Sequence, residues 1–102
     1  MTQPDLSIII VSYNTKEMTL ACIESAIQET KDTCYEIIVY DNDSSDGSAE
    51  AIAADFPDIR LIAADTNIGF AQGNNEAIKY ATGEYILLPV SYTHLRAHET
   101  TS

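Results

Sequence analysis

The fold is decided by residues 36–48, which read EIIVYDNDSSDGS. Residues 36–40 form an apolar, β-branched run that predicts a buried strand, and an acidic, Ser-rich turn follows it directly. A buried parallel strand delivers the residues after its carboxyl end to the crevice where α/β proteins bind ligands. The strand therefore predicts a binding site at Asp41, where a carboxylate indicates recognition of a nucleobase, a sugar hydroxyl or a metal.

Strands and helices alternate on both sides of this stretch. Apolar runs predict strands over residues 6–12, 36–40, 59–63 and 84–88, and helical periodicity predicts helices over 16–29, 48–55 and 69–81. Thr15 is predicted to cap the first helix and Ser45 or Asp46 the second, while Gly83 is predicted to stop the third as a C′ glycine. The order βαβαβαβ predicts an α/β fold with a parallel sheet and helices on both faces.

The bulk composition limits the classes of partner. The chain has 102 residues, a formal net charge of -11 and a pI near 4.2, so we expect one acidic domain that binds neither nucleic acid nor anionic membranes. The amino terminus lacks the pattern of a signal peptide, and the longest apolar run, residues 8–11, is too short for a transmembrane segment. Cys22 and Cys34 match no metal or redox spacing, so we expect a cytoplasmic protein with reduced thiols.

The last residues differ in character from the rest. Residues 90–100 read VSYTHLRAHET, show neither strand nor helix periodicity, and resemble a translated frame of a common transposon-based sequencing adapter. We therefore expect a domain over residues 1–88, with its fourth strand cut short, and a non-native tail over 89–102. The alternative is that His94 and His98, spaced as i and i+4, form a metal pair on a helix, but no third ligand follows at a suitable spacing.

Asp41 is the first candidate for ligand recognition. At the end of a central strand its carboxylate could accept the N3–H of a uracil or thymine ring in a charge-assisted hydrogen bond. The alternative is an aspartate that only organises the turn or caps a helix. The residues alone leave both interpretations open.

A calcium site is a second interpretation of the same turn. Asn42, Ser44, Asp46 and Gly47 match positions 1, 3, 5 and 6 of an EF-hand loop. The bidentate glutamate required at position 12 is replaced by Ala53, so a principal ligand is missing. The spacing favours a turn that leads into a capped helix over a cation site.

Two further segments are candidates for ligand contact. Ser12, Tyr13 and Asn14 end the first strand, where backbone groups and an aromatic ring could hold a base, although a simple strand-to-helix connection would use the same residues. Residues 67–75 read NIGFAQGNN, and two glycines and two asparagines in the first turns of a helix are locally unfavourable. Such a conflict is expected where backbone approaches a ligand closely.

These segments together resemble family 2 glycosyltransferases. The resemblance rests on LSIIIVSYN at 6–14, EIIVYDNDSSDGS at 36–48, NIGFAQGNN at 67–75 and GEYILL at 83–88, with the details closest to a rhamnosyltransferase-like branch. It implies the Rossmann-like, nucleotide-binding half of a GT-A fold. It also implies an inverting transfer from a nucleotide-diphosphate-sugar, either dTDP-rhamnose or a UDP-sugar, to a glycan or lipid-linked acceptor. The alternative class is a non-catalytic nucleotide- or calcium-binding α/β module.

The resemblance also implies roles for single residues. Ser12, Tyr13 and Asn14 match the segment that lines the base and ribose, and Asp41 matches the aspartate that hydrogen-bonds a pyrimidine, with Asp43 beside it. The segment with Asn67 and Gly69 also matches, and Asn74 stands where many relatives carry an arginine before the asparagine matched by Asn75.

The resemblance finally implies features beyond the matched residues. The family's acidic motif for Mg²⁺ or Mn²⁺ would follow the fourth strand, and the general base would lie further on, so we expect neither metal ligands nor catalysis from this chain. The intact enzyme would be cytoplasmic or peripheral at the inner face of the membrane.

Overall fold

The computed structural model describes residues 4–88, so the predicted tail and its two histidines lie outside the described residues. The strands are β1 (Leu6–Ser12), β2 (Tyr35–Asp41), β3 (Arg60–Ala63) and β4 (Tyr85–Leu87); the helices are α1 (Lys16–Glu29), α2 (Ser48–Asp55) and α3 (Phe70–Ile78). The predicted alternation and the α/β class are confirmed. No helix within the described range is long and apolar enough to cross a membrane.

The strand order places a crevice beside β1. All pairings are parallel, and the order across the sheet is β3-β2-β1-β4. The chain steps outward from β1 to β2 and β3, and then returns to the other side of β1 to form β4. Connections on the two sides of such a reversal diverge, and ligands of open α/β sheets bind there, outside the carboxyl ends of the strands.

The buried strands carry one apolar face for each helix layer. Ile8 and Ile10 of β1 pack in a cluster with Ile23 of α1 and Ile52 of α2, and all four are 0% exposed. The alternate residues of β1 pack against the opposite layer, where Ile9 lies in a cluster with Ala77 of α3. The predicted helices on both faces are therefore confirmed, and each fully buried isoleucine contributes about 1.5–3 kcal/mol of burial free energy.

A polar cluster ties the sheet together at its amino edge, where the strands begin. The Glu36 carboxylate accepts the Ser7 hydroxyl at 2.5 Å, the Thr82 N–H at 2.7 Å and the Thr82 hydroxyl at 3.1 Å, all on Oε2. The Gly83 N–H in turn donates to the Ser7 hydroxyl at 2.8 Å. The turn before β4 is thus fastened to both β1 and β2.

The end of α3 differs from the prediction. The helix ends at Ile78, and the backbone of residues 79–81 then turns through i-to-i−3 hydrogen bonds, such as Tyr80 N–H to Ala77 C=O at 3.0 Å. Gly83 is therefore not a C′ glycine. Among the described glycines, the φ angle is positive at Gly47 and Gly69 but not at Gly83. Its lack of a side chain instead lets the chain approach β1 closely, because a Cβ there would lie 2.6 Å from the Ser7 hydroxyl oxygen and 2.7 Å from its backbone nitrogen.

The helix starts also differ from the prediction. Gly47, with φ of +82°, is the N-cap of α2, in place of Ser45 or Asp46. Thr15 does occupy the N-cap of α1, but its side chain makes no capping hydrogen bond. The Asp46 carboxylate serves both helices: one oxygen accepts the Lys16 N–H of α1 at 3.0 Å, and the other accepts the Ser48 N–H of α2 at 3.0 Å together with the Ser48 hydroxyl.

Two carboxylates make the stability depend on pH. Burial alone would raise the pKa of Glu36, but hydrogen bonds from Ser7 and Thr82 and the charge of Arg60 hold its pKa below the ordinary value. Burial would likewise raise the pKa of Asp46, but hydrogen bonds from Ser48 and from the Lys16 N–H lower it. A group with a lower pKa in the folded chain stabilises it above the unfolded pKa, so this stabilisation is lost as the pH falls below about 4.

The corresponding measurement is urea unfolding between pH 3 and pH 7. We expect the free energy of unfolding to fall at the acid end, and Glu36→Gln and Asp46→Asn, which keep an acceptor oxygen but do not titrate, to flatten that fall. Glu24→Gln removes the charge of an exposed carboxylate on α1 and is the matched control. An equal flattening by all three variants would indicate an effect of net charge. It would contradict the assignment of the pH dependence to Glu36 and Asp46.

Candidate functional site

Two connections meet at the carboxyl edge of the sheet, the edge where the strands end: residues 13–15 after β1 and residues 42–47 after β2. Ser12 and Asp41 are register partners, and the Asn42 N–H donates to the Ser12 carbonyl at 2.8 Å. Ser12 is 0% exposed, and its hydroxyl accepts the Thr19 hydroxyl at 3.0 Å. Its side chain therefore supports the start of α1, and only the residues after it reach the surface.

Asp41 is buried, with 2% of its surface exposed, and it organises the turn after β2. Its Oδ2 accepts the Ser44 N–H at 3.0 Å and its Oδ1 accepts the Ser44 hydroxyl at 2.8 Å. A carboxylate offers about four acceptor positions, so these two bonds leave capacity for one more donor. The structure therefore shows Asp41 in its turn-forming role, with acceptor capacity beyond its two bonds to Ser44.

Asn14 joins the first connection to the second. Its φ of +53° lies in the left-handed region, which asparagine tolerates better than most residues. Its N–H donates to the Ser44 hydroxyl at 2.8 Å, and its side-chain oxygen accepts the Ser45 N–H at 2.8 Å. Three hydrogen-bonding residues from segments about thirty positions apart thus form one unit.

Two predicted residues of this unit face outward. Tyr13 is 40% exposed, and Asp43 is exposed in a left-handed conformation with φ of +65°. A ring next to the switch between β1 and β4 can stack on a base, and a carboxylate beside it can accept a ribose hydroxyl. Both side chains are open to a ligand, as are the exposed Asn14, Asn67 and Asn75 of the predicted site.

The segment before α3 forms the third part of the carboxyl edge. Gly69 has φ of +90° and ψ of 166°, a conformation that is essentially restricted to glycine, and its N–H donates to the Asn67 side chain at 2.8 Å. The Asn42 side chain holds this segment in place through two hydrogen bonds. Its Oδ1 accepts the Ile68 N–H at 3.0 Å, and its Nδ2 donates to the Gly69 carbonyl at 3.0 Å. Asn42 is 1% exposed, so it positions the segment from the interior.

The asparagines of α3 lie further from this edge. Asn74 is half-buried and Asn75 is exposed, and both lie in the second turn of a helix that leads away from the carboxyl edge, about 6–8 Å along its axis. The unfavourable Gly73 has a packing explanation, because a Cβ there would lie 3.0 Å from Val11 Cγ1 and 3.2 Å from Asn42 Nδ2. The sequence predicted a close approach of the backbone to a ligand. The structure shows that Gly73 instead lets α3 pack closely against the sheet.

The EF-hand-like spacing does not bring its oxygens together. Asn42 bonds to the backbone of the α3 segment, Ser44 to Asp41, and Asp46 to the starts of α1 and α2. Across residues 4–88, no group of three or more His, Cys, Asp or Glu side chains could hold a metal ion. The side chains of Asn42, Ser44 and Asp46 thus each have a structural role, and Asn42 and Asp46 bond outside their own loop.

An open depression of about 920 Å³ lies away from this site. Its lining includes Ile27, Phe56, Ile59 and Arg60, which surround the start of β3 and the end of α2. That is the amino edge of the sheet, whereas ligands of parallel α/β sheets bind at the carboxyl edge. We therefore assign the candidate site to the connected loops and not to this depression.

The sequence analysis missed two residues of the site. Asn42 was considered only as a calcium ligand, and Ser44 only within the same spacing. The bonds of the Asn42 side chain and the bond from Asn14 to Ser44 cross between segments that are distant in sequence, so no local pattern could assign them. The serine and asparagine content of the turn was the one available signal.

Comparison with known proteins identifies the family and the class of this fold. The profile described as Glycosyl transferase family 2 matches residues 7–88, and the chain belongs to that family. It is 35% identical over 105 residues to an uncharacterized glycosyltransferase, YfnE, of Bacillus subtilis, with 91% of this chain and 26% of that protein covered.

Two further proteins share the same region. The UDP-Glc:alpha-D-GlcNAc-diphosphoundecaprenol beta-1,3-glucosyltransferase WfgD of Escherichia coli is 36% identical over 83 residues, which cover 79% of this chain and 32% of that protein. The mannosyltransferase PcManGT of Pyrobaculum calidifontis, solved with GDP-Man and Mn²⁺, superposes with a TM-score of 0.67 at 27% identity and covers 84% of this chain and 27% of its own. The GT-A architecture is thereby confirmed, and the chain spans a third or less of the length of each of these proteins.

Proposed function

We propose that residues 1–88 are the donor-binding part of an inverting glycosyltransferase that moves a sugar from a nucleotide-diphosphate-sugar to a glycan or lipid-linked acceptor. The observation that carries the proposal is the joined pair of connections that follow β1 and β2 at the carboxyl edge of the sheet. They present the exposed Tyr13 ring and the Asp43 carboxylate beside the buried Asp41. The names of the relatives support this class of reaction, since WfgD uses UDP-Glc and a diphosphoundecaprenol-linked acceptor.

The donor we propose carries a pyrimidine base, as UDP or dTDP. Asp41 has acceptor capacity beyond its two bonds to Ser44, and the N3–H of uracil or thymine is a matching donor. Both bases present the same imide edge, so this contact does not distinguish between them. The structural neighbour was solved with GDP-Man, which makes GDP the informative competitor.

A divalent cation is proposed for the complete enzyme, as Mg²⁺ or Mn²⁺. Asp41 ends β2, and Asp43 and Asp46 lie on the connection that follows it, so a diphosphate would meet negative charge there. The residues described between positions 4 and 88 do not by themselves fit a metal site, and we assign no step through a metal to them. We propose a cytoplasmic enzyme, peripheral at the inner face of the membrane where a lipid-linked acceptor would be met.

The test of the proposal is titration calorimetry on the full 102-residue chain with UDP, dTDP, GDP and N3-methyl-UDP. We expect UDP and dTDP to bind more tightly than GDP, and N3-methylation to weaken binding at least about tenfold, because it removes the proposed donor. Asp41→Ala should weaken UDP binding by about 1.5–3 kcal/mol and abolish the difference between UDP and N3-methyl-UDP.

Asp65→Ala is the matched control, because Asp65 is an exposed acid that follows β3 on the same edge. It should leave UDP affinity within about twofold. If Asp41→Ala lowered the affinities of UDP and N3-methyl-UDP equally, Asp41 would act only through the turn. If the wild-type chain bound none of the nucleotides, the donor-binding role would be rejected.

A further inference from the structure

We infer that Ser44 is the positioning residue of the site, because its one hydroxyl connects the Asp41 carboxylate to the backbone of the Asn14 connection. This inference rests on the proposed nucleotide-binding function. The hydroxyl donates to Asp41 Oδ1 at 2.8 Å and accepts the Asn14 N–H at 2.8 Å. The Ser44 N–H adds a third bond, to Asp41 Oδ2 at 3.0 Å.

The chemistry of the hydroxyl fixes the direction of these bonds. A serine hydroxyl has one hydrogen to donate, whereas a backbone N–H can only donate. The bond from Asn14 must therefore end on the hydroxyl oxygen, and the single hydroxyl hydrogen is left for the carboxylate. Hydrogen bonds in such a chain polarise and strengthen one another, so the two bonds support each other.

This chain of bonds sets both of the proposed base contacts. Asp41 receives two of its bonds from Ser44, which fix the plane of its carboxylate and hence the direction of its remaining acceptor positions. Asn14 follows the exposed Tyr13, and its left-handed conformation is held in part by the Ser44 hydroxyl. Removal of that hydroxyl should loosen the orientation of the carboxylate and the placement of the ring together.

Two adjacent serines provide the matched experiment. Ser44→Ala removes the linking hydroxyl, and Ser44→Thr retains it. A β-branched residue is compatible with the backbone here because the φ of residue 44 is not positive. Ser45→Ala is the control, because the Ser45 hydroxyl lies 3.4 Å from the Asn14 side-chain oxygen while its backbone N–H, at 2.8 Å, keeps the principal bond. All three variants are compared with the wild-type chain by calorimetry with UDP and N3-methyl-UDP, and by NMR hydrogen exchange.

We expect Ser44→Ala to weaken UDP binding about 5–20-fold, Ser44→Thr to restore it, and Ser45→Ala to stay within about twofold. The ratio of UDP to N3-methyl-UDP affinity should shrink in Ser44→Ala alone, since that ratio reports the orientation of Asp41. A general loss of stability would lower both affinities and leave the ratio unchanged. The Asn14 amide should exchange faster in Ser44→Ala but not in Ser45→Ala.

The outcomes separate this inference from the function on which it rests. If the wild-type chain binds UDP and Ser44→Ala keeps the affinity and the ratio, the positioning role is wrong while the proposed function stands. If Ser44→Ala and Ser45→Ala lose affinity equally, the hydroxyl of Ser44 has no special role. If the wild-type chain does not bind UDP, both the function and the inference are rejected.

Discussion

Asn42→Ala is expected to lower the free energy of unfolding by about 2–4 kcal/mol, although the substitution removes no apolar contact of the core. The Asn42 side chain is 1% exposed, donates to the Gly69 carbonyl and accepts the Ile68 N–H, each at 3.0 Å. Alanine leaves both backbone groups without these partners in a partly buried setting. The loss of a partner by a buried polar group costs more than the hydrogen bond contributes when it is formed.

Urea unfolding of the full chain measures the loss of stability caused by Asn42→Ala. Asn67→Ala is the matched control, because the exposed Asn67 makes one hydrogen bond to the Gly69 N–H at 2.8 Å within the same segment. We expect that variant to lose about 1 kcal/mol or less. Equal losses in the two variants would mean that the segment is held by its own turn and not by Asn42.

The sequence predicted the layers of the fold because they follow from local patterns. The strand at residues 6–12 and the helices at 16–29 and 48–55 have the bounds that the structure gives to β1, α1 and α2. Local signals set these bounds: an unbroken apolar run in β1, Thr15 directly before α1, and Pro57 shortly after α2. The third helix was predicted too long because its end depends on tertiary contacts, in which Gly83 lies against β1 and the turn before it bonds to Glu36.

The candidate site was predicted at the level of segments, and less well at the level of side chains. The rule for parallel sheets places the residues after β1 and β2 at one edge, and the structure brings Asn14 next to Ser44 there. Which side chains remain accessible depends on bonds between distant segments. Asn42 is buried where it bonds to the segment before α3, 26 and 27 positions away, and Asp46 connects two helix starts that are 32 positions apart (Lys16 and Ser48).

Gly83→Ala is expected to destabilise the chain by about 3 kcal/mol, near the upper end of the usual cost of overpacking. The added Cβ would lie 2.7 Å from the Ser7 backbone nitrogen and 2.8 Å from the Leu6 carbonyl carbon, and backbone atoms within a paired strand cannot move aside as a side chain can. Relief requires a shift of the segment that precedes β4. Such a shift strains the bond from the Gly83 N–H to the Ser7 hydroxyl and the pairing of Leu6 with Tyr85.

Gly47→Ala separates this steric effect from the other consequences of replacing a glycine. Both substitutions restrict the unfolded chain equally, which favours folding by about 0.4–1 kcal/mol. Gly47 has φ of +82° and nothing within 4 Å of an added Cβ, so its alanine variant adds only left-handed strain, about 1–2 kcal/mol. Thermal and urea unfolding should therefore show a clearly larger loss for Gly83→Ala. If the two losses were equal, the approach of Gly83 to β1 would not be what selects glycine at this position.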